Sequence, residues 1–84
     1  MSKRNEISRR VARIHGHVHG INKMLDANRP YPEIAHQVIA VRAALDKVIQ
    51  LMVDDLVKDC VSKAKGKGPL TDSLKELQAV AATI

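Results

Sequence analysis

The stretch from Pro32 to Ala64, PEIAHQVIAVRAALDKVIQLMVDDLVKDCVSKA, contains no glycine, and no proline after its first residue. Its residues Ile34, Val38, Val41, Leu45, Val48, Met52 and Leu56 are separated by 4, 3, 4, 3, 4 and 4 positions. That spacing draws one apolar stripe along an α-helix. Ala35, Ile39, Ile49, Val53, Val57 and Cys60 widen the stripe. A helix over 32–64 would run roughly 50 Å at a rise of 1.5 Å per residue. It outruns every other segment of the chain, so one end is expected to pack on another subunit.

Upstream, Ile7, Val11, Ile14, Val18, Ile21 and Leu25 follow a 4, 3, 4, 3, 4 spacing, close to a heptad repeat. Asp26-Ala27-Asn28-Arg29-Pro30-Tyr31-Pro32 ends that stripe, with Pro32 near a first helical position. Gly66-Lys67-Gly68-Pro69 is the second break. Leu70, Leu74, Leu77, Ala81 and Ile84 form a third stripe, for which Thr71 or Asp72 is the expected cap. The spacing predicts helices over 4–27, 32–64 and 70–83, with no strand, no internal repeat and no helix-turn-helix pattern. The chain reads as a single all-α domain, 1–84.

Composition narrows the function. In 84 residues there is one aromatic, Tyr31, and the net charge is +5, so four copies would carry +20. Such a charge suits a polyanion, most simply nucleic acid. The near absence of aromatics argues against single-strand binding by base stacking and leaves the backbone of duplex DNA. A domain this small buries little apolar surface alone and is expected to form a homo-oligomer. Cys60 is the only cysteine, which favours a reducing, cytoplasmic compartment. MSKRNEISRR has no apolar segment behind it and does not read as a signal peptide. No run is apolar enough to span a membrane.

RIHGHVHGI, residues 13–21, places three histidines within five positions. At about 100° per residue, His15 and His19 fall on one flank of the first helix and His17 on the other. The three cannot share one metal ion. His15 and His19 can pair, and His36 on the second helix could join them, but two ligands alone make a weak site. Solvated or interfacial imidazoles are the plainer reading. Opposite the apolar stripe lie Arg9, Arg13, Lys23, Gly16 and Gly20. A glycine costs about 1 kcal/mol in a helix interior, so the pair points to a close approach, by a phosphate backbone or by a neighbouring helix. Cys60 reads as a small buried hydrophobe, and Asp54, Asp55 and Asp59 as solvated carboxylates. No Ser-His-Asp arrangement, phosphate loop, HExxH or CxxC is present, which argues against an enzyme.

RIHGHVHGI, then QVIAVRAALDK (Gln37 to Lys47), then DLVKDCV (Asp55 to Val61) together resemble the copper- and nickel-sensing repressors of the CsoR/RcnR family. The resemblance runs over about residues 8–80. It implies an all-α dimer of antiparallel helices that assembles as a dimer of dimers, a tetramer. It also implies repression through duplex DNA, relieved by an inducer bound between subunits. The family's basic surface maps onto Arg9, Arg10 and Arg13 of the first helix, with His17, His19, Lys23 and Arg42 completing the expected DNA contacts.

The family's inducer ligands map onto Tyr31, Leu56 and Cys60, of which only Cys60 is a typical ligand. A tyrosine beside the first ligand maps onto Pro30, and a supporting glutamate onto Glu76. Copper(I) needs at least two soft ligands, so fold and DNA binding transfer better than the inducer. Three readings of the inducer stay open: a site insensitive to metal, a response through the Cys60 thiol, or copper, nickel or zinc held by His15, His19 or His36. The competing function is a helical oligomer that binds a metal or a protein partner and not DNA.

Overall fold

The structure, a computed structural model, describes residues 3–66 and 68–84. Three helices follow one another: α1 (Arg4–Asp26), α2 (Tyr31–Ala64) and α3 (Leu70–Thr83). Lys67, part of the expected second break, lies outside the described residues. α1 and α3 both pack on α2. His17 meets Gln37, while Arg4 and Ser8 share a cavity with Met52 and Asp55, so α1 runs antiparallel to α2. Ser73 meets Asp59 and Lys63, while Val80 reaches the level of Met52, so α3 also runs antiparallel to α2.

The turn from α1 to α2 is built by a Schellman motif. Asn28 N–H bonds the carbonyl of Leu25 at 3.1 Å, and Arg29 N–H bonds that of Met24 at 3.0 Å. Asn28 takes φ +55, a left-handed conformation that asparagine tolerates better than most side chains. Ala27 still donates to Lys23, but its dihedrals have left the helix, so α1 ends at Asp26 and not at Ala27. Pro30 caps α2, Tyr31 and Pro32 open it, and Arg29 pairs with Glu33 of the first turn at 3.0 Å. That pair raises the Arg29 pKa, first through the hydrogen bond and then through the charge of Glu33.

At the far end of α2, Gly66 at φ +90 donates to Lys63, the left-handed stop that glycine allows. The expected cap of α3 is corrected. Pro69 occupies the cap position with no side-chain hydrogen bond, and Thr71 and Asp72 are already inside the helix. A proline there needs no partner for a backbone N–H.

The apolar core is Ile34, Val41, Val48 and Leu51. Only alternate members of the α2 stripe are therefore covered, since Val38, Leu45 and Met52 stay 39–49% exposed. α1 behaves alike: Ile7, Ile14 and Ile21 are half-buried, while Val11, Val18 and Leu25 are exposed. The molecule measures 57 × 23 × 13 Å, one helix thick, and so has a second broad side that no element of the chain covers.

The carboxylates near Cys60 correct the sequence reading. Asp54 is exposed as expected, but Asp55 is buried and Asp59 is held by Ser73 and Lys63. Cys60 is half-buried.

Candidate nucleic-acid interface

The basic residues of α1 divide between two sides of the helix. Arg10, Arg13 and His17 line a cleft of about 250 Å³ with Ile14 and, from α2, Ala44. Two of the three are held in place. Glu6, one turn earlier, accepts from Arg10 Nε at 3.4 Å. His17 Nε2 and the side-chain oxygen of Gln37 are hydrogen-bonded at 2.6 Å, which holds the ring in its direction. Arg13 is exposed and has no ion-pair partner among the described residues. The result is a basic notch on the α1–α2 seam.

Arg9, His15, His19 and Lys23 stand outside this notch, exposed on the outer side of α1. Arg42 is exposed on α2 and does not line the notch either. Of the face drawn from the sequence as Arg9, Arg13 and Lys23, Arg13 lines the notch and the other two stand exposed beyond it. Gly16 and Gly20 have nothing within 4 Å of where a Cβ would stand. The space they leave is open in the single chain.

Of the positions mapped to an inducer, Leu56 and Cys60 are one turn apart on α2, and Tyr31 lies far from both within one chain. Tyr31 is 78% exposed at the start of α2, about 44 Å along the helix axis from Cys60 at a rise of 1.5 Å per residue. Leu56 is half-buried, and with Glu76 it lines a cavity beside the start of α1. Among the described residues no three His, Cys, Asp or Glu side chains gather to hold a metal ion. His15, His19 and His36 are therefore not assembled into a site within one chain.

Beside Cys60 the chain builds a polar cluster that sequence reasoning missed. Lys63 Nζ donates to Ser73 Oγ at 2.8 Å and lies 3.0 Å from Asp59. Ser73 in turn donates to Asp59. The Ser73 hydroxyl, and after it the Lys63 ammonium, hold the Asp59 carboxyl below its ordinary pKa. A serine beside a lysine has the composition of a nucleophile and its base. Ser73 is only 3% exposed, so this hydroxyl joins helices and does not face a substrate. The available signal was the i, i+4 pair Asp59–Lys63. The His17–Gln37 link left none, because its partners lie 20 positions apart.

Comparison with known proteins gives this arrangement its context. The family described as metal-sensitive transcriptional repressors matches residues 3–83. The copper-sensing transcriptional repressor CsoR of Bacillus subtilis (strain 168) is 32% identical over 75 residues, 89% of this chain and 74% of its own length. The copper-sensing transcriptional repressor RicR of Mycobacterium tuberculosis is 27% identical over 66 residues, 79% of this chain and 69% of its own. Among solved structures, the nickel-responsive transcriptional regulator InrS superposes with a TM-score of 0.80 at 38% identity, covering 95% of this chain and 90% of that one. The three-helix fold is shared with that regulator, the match runs almost end to end, and the chain belongs to the family of metal-sensitive transcriptional repressors.

Proposed function

We propose that this chain is a repressor that binds duplex DNA as a homo-oligomer, with the Arg10–Arg13–His17 notch as its anchor on a phosphate. The carrying observation is that notch, in which three basic side chains converge and two of them are pre-positioned. Arg9, His19, Lys23 and Arg42 are exposed around it and add long-range attraction. Base reading is a separate matter, because phosphate contacts position a protein and carry no sequence information directly.

The assembly is a dimer formed through the uncovered apolar side, with dimers pairing into a tetramer. Val38 and Leu45 of α2, together with Val11, Val18 and Leu25 of α1, are exposed aliphatic side chains that a second copy would cover. The protein acts where its DNA is, in the cytoplasm, and not as an enzyme.

Release by an inducer is part of this reading, but the residues present do not fit copper(I) at the positions the resemblance assigns. Tyr31 offers a phenol, Leu56 offers no donor, and Cys60 offers one thiol. Copper(I) needs at least two soft ligands, so no step of release is routed through that metal. Zinc or nickel at His15, His19 or His36 would require residues from more than one chain.

The test is a gel-shift with the DNA upstream of the chain's own gene, repeated with Cu(I), Ni(II), Zn(II) and an oxidant. Retardation that weakens with salt supports the reading. No retardation at low salt favours an oligomer that binds a metal or a protein partner. An unchanged response in Cys60→Ala removes the thiol from the account of release.

A further inference from the structure

Among the described residues, Asp55 Oδ1 is the one buried side-chain oxygen that meets no hydrogen-bond partner. The residue is 7% exposed. An unmatched oxygen at that depth costs free energy, and a protein normally answers it with a donor. None of the three helices supplies one. The same residue lines a cavity of about 430 Å³ where the first turns of α1, the later part of α2 and the end of α3 converge.

The lining has two halves. Asp55, Glu76, Asn5, Ser8 and Arg4 make the polar half, and Met52, Leu56 and Val80 give apolar wall. We propose that this cavity binds a small organic cation, a guanidinium or ammonium group on a short hydrocarbon body. Its N–H donors reach Asp55 and Glu76, and its body lies on Met52, Leu56 and Val80. Two carboxylates outnumber the single cation, Arg4, so the local charge favours a positive guest. Oδ1 itself is closed to solvent, so the guest meets this carboxylate at its other oxygen, Oδ2. A charge-assisted hydrogen bond there gives the buried carboxylate a donor that the three helices do not supply.

A metal ion is the poorer guest. Among the described residues no three His, Cys, Asp or Glu side chains gather around one point, and half of this wall offers no ligand atoms. A cavity that joins an apolar wall to a few convergent polar groups is a usual form of small-molecule site. Arg4 lines it without bonding Asp55 Oδ1 and is the chain's own competitor for that carboxylate. Of the positions that the resemblance maps to an inducer, Leu56 and the supporting Glu76 line this cavity, while Tyr31 and Cys60 do not. The proposal also stands apart from the DNA reading, since binding is measured on the protein alone.

The probe is n-butylguanidinium, titrated calorimetrically into the full chain in its native assembly, with neutral n-butylurea as the matched control. The charged probe is expected to bind at least about tenfold more tightly than the urea, a difference of about 1.4 kcal/mol. Asp55→Asn is expected to lose at least about tenfold in affinity, and Arg4→Ala to keep or gain affinity. Glu76→Gln, at an exposed position, is the second variant should Asp55→Asn lose helix content by circular dichroism. It is expected to weaken the charged probe and leave the urea unchanged. Equal affinity for the two probes overturns the proposal, as does full affinity in both carboxylate variants. Binding that appears only in Arg4→Ala makes Arg4 the occupant and overturns it too.

Discussion

Ser73, in the first turn of α3 and 3% exposed, donates its hydroxyl to the carboxylate of Asp59 on α2. Lys63 closes the triangle, 2.8 Å from Ser73 Oγ and 3.0 Å from Asp59. α3 is a short helix of 14 residues, too short to hold its shape alone in water. Its place therefore depends on this joint and on the apolar contacts beside it. Ser73→Ala should lower the free energy of unfolding by about 1 kcal/mol, the net worth of an ordinary intramolecular hydrogen bond. Urea melts of the two proteins at equal chain concentration measure the difference. No change would mean that α3 is held by apolar contacts alone.

The same joint makes stability depend on acid in a stated window. The Asp59 pKa is depressed in the folded chain, first by Ser73 and then by Lys63, from an ordinary value of 3.8. A depressed carboxyl contributes stability that is fully present above its unfolded pKa and is lost as pH falls through its folded one. The advantage of the parent over Asp59→Asn should then be constant at higher pH and shrink below pH 3.8. A difference that stays constant down to the lowest accessible pH would contradict the assignment.

Asn28 holds φ +55 at the end of α1. Asn28→Gly should be neutral or slightly stabilising, because glycine enters this conformation without steric cost. Asn28→Val should cost about 1 kcal/mol or more, the penalty of a Cβ in the left-handed region. Chemical denaturation compares the pair. Equal stability of the two variants would show that the turn relaxes out of that conformation.

Gly16 and Gly20 stand in open space in the single chain. Alanine at either position should gain about 1 kcal/mol of helix stability. If a DNA backbone or a second chain approaches here, the same variants should lose DNA affinity or assembly while they gain stability. Melting and gel-shift on the same preparations separate the two effects. A stabilised variant with unaltered binding and assembly would leave the glycines without a role.

Arg13→Glu places a carboxylate in the basic notch. The slope of log affinity for DNA against log salt should fall by about 1 or more, one phosphate contact being worth about 0.9. His17→Ala should weaken binding without that change in slope if the imidazole acts by holding the notch open through Gln37 and not by its charge. Fluorescence anisotropy over a salt series reads both. An Arg13→Glu protein that binds like the parent would move the DNA surface elsewhere.

Much of the fold was legible in spacing and punctuation. The stripe from Ile34 to Leu56 marked the long helix, and Asn28-Arg29-Pro30 marked the turn that the Schellman motif builds. Which part of each stripe becomes core was not legible. A near-heptad period fits a partner within the chain as well as one outside it, and α1 covers only Ile34, Val41 and Val48 of the seven stripe positions. The joint of Asp59 with Ser73 escaped because it spans a glycine-rich turn and 14 positions. Asp55 escaped because a carboxylate reads as a surface residue until neighbouring helices are placed around it. Arg10, Arg13 and His17 could be named from the chain, but their convergence needed α2 as the opposite wall.

The 13 Å thickness of the molecule has a consequence for its lifetime. Among the described residues none is sealed completely from the outside, so the single chain has little deep interior from which to draw cooperativity. Where folding is linked to association, mass action governs it, and dilution then acts on this protein as a denaturant does. Its melting temperature should climb with chain concentration, and a cell that makes too little of it would hold unfolded polypeptide in place of a weak repressor.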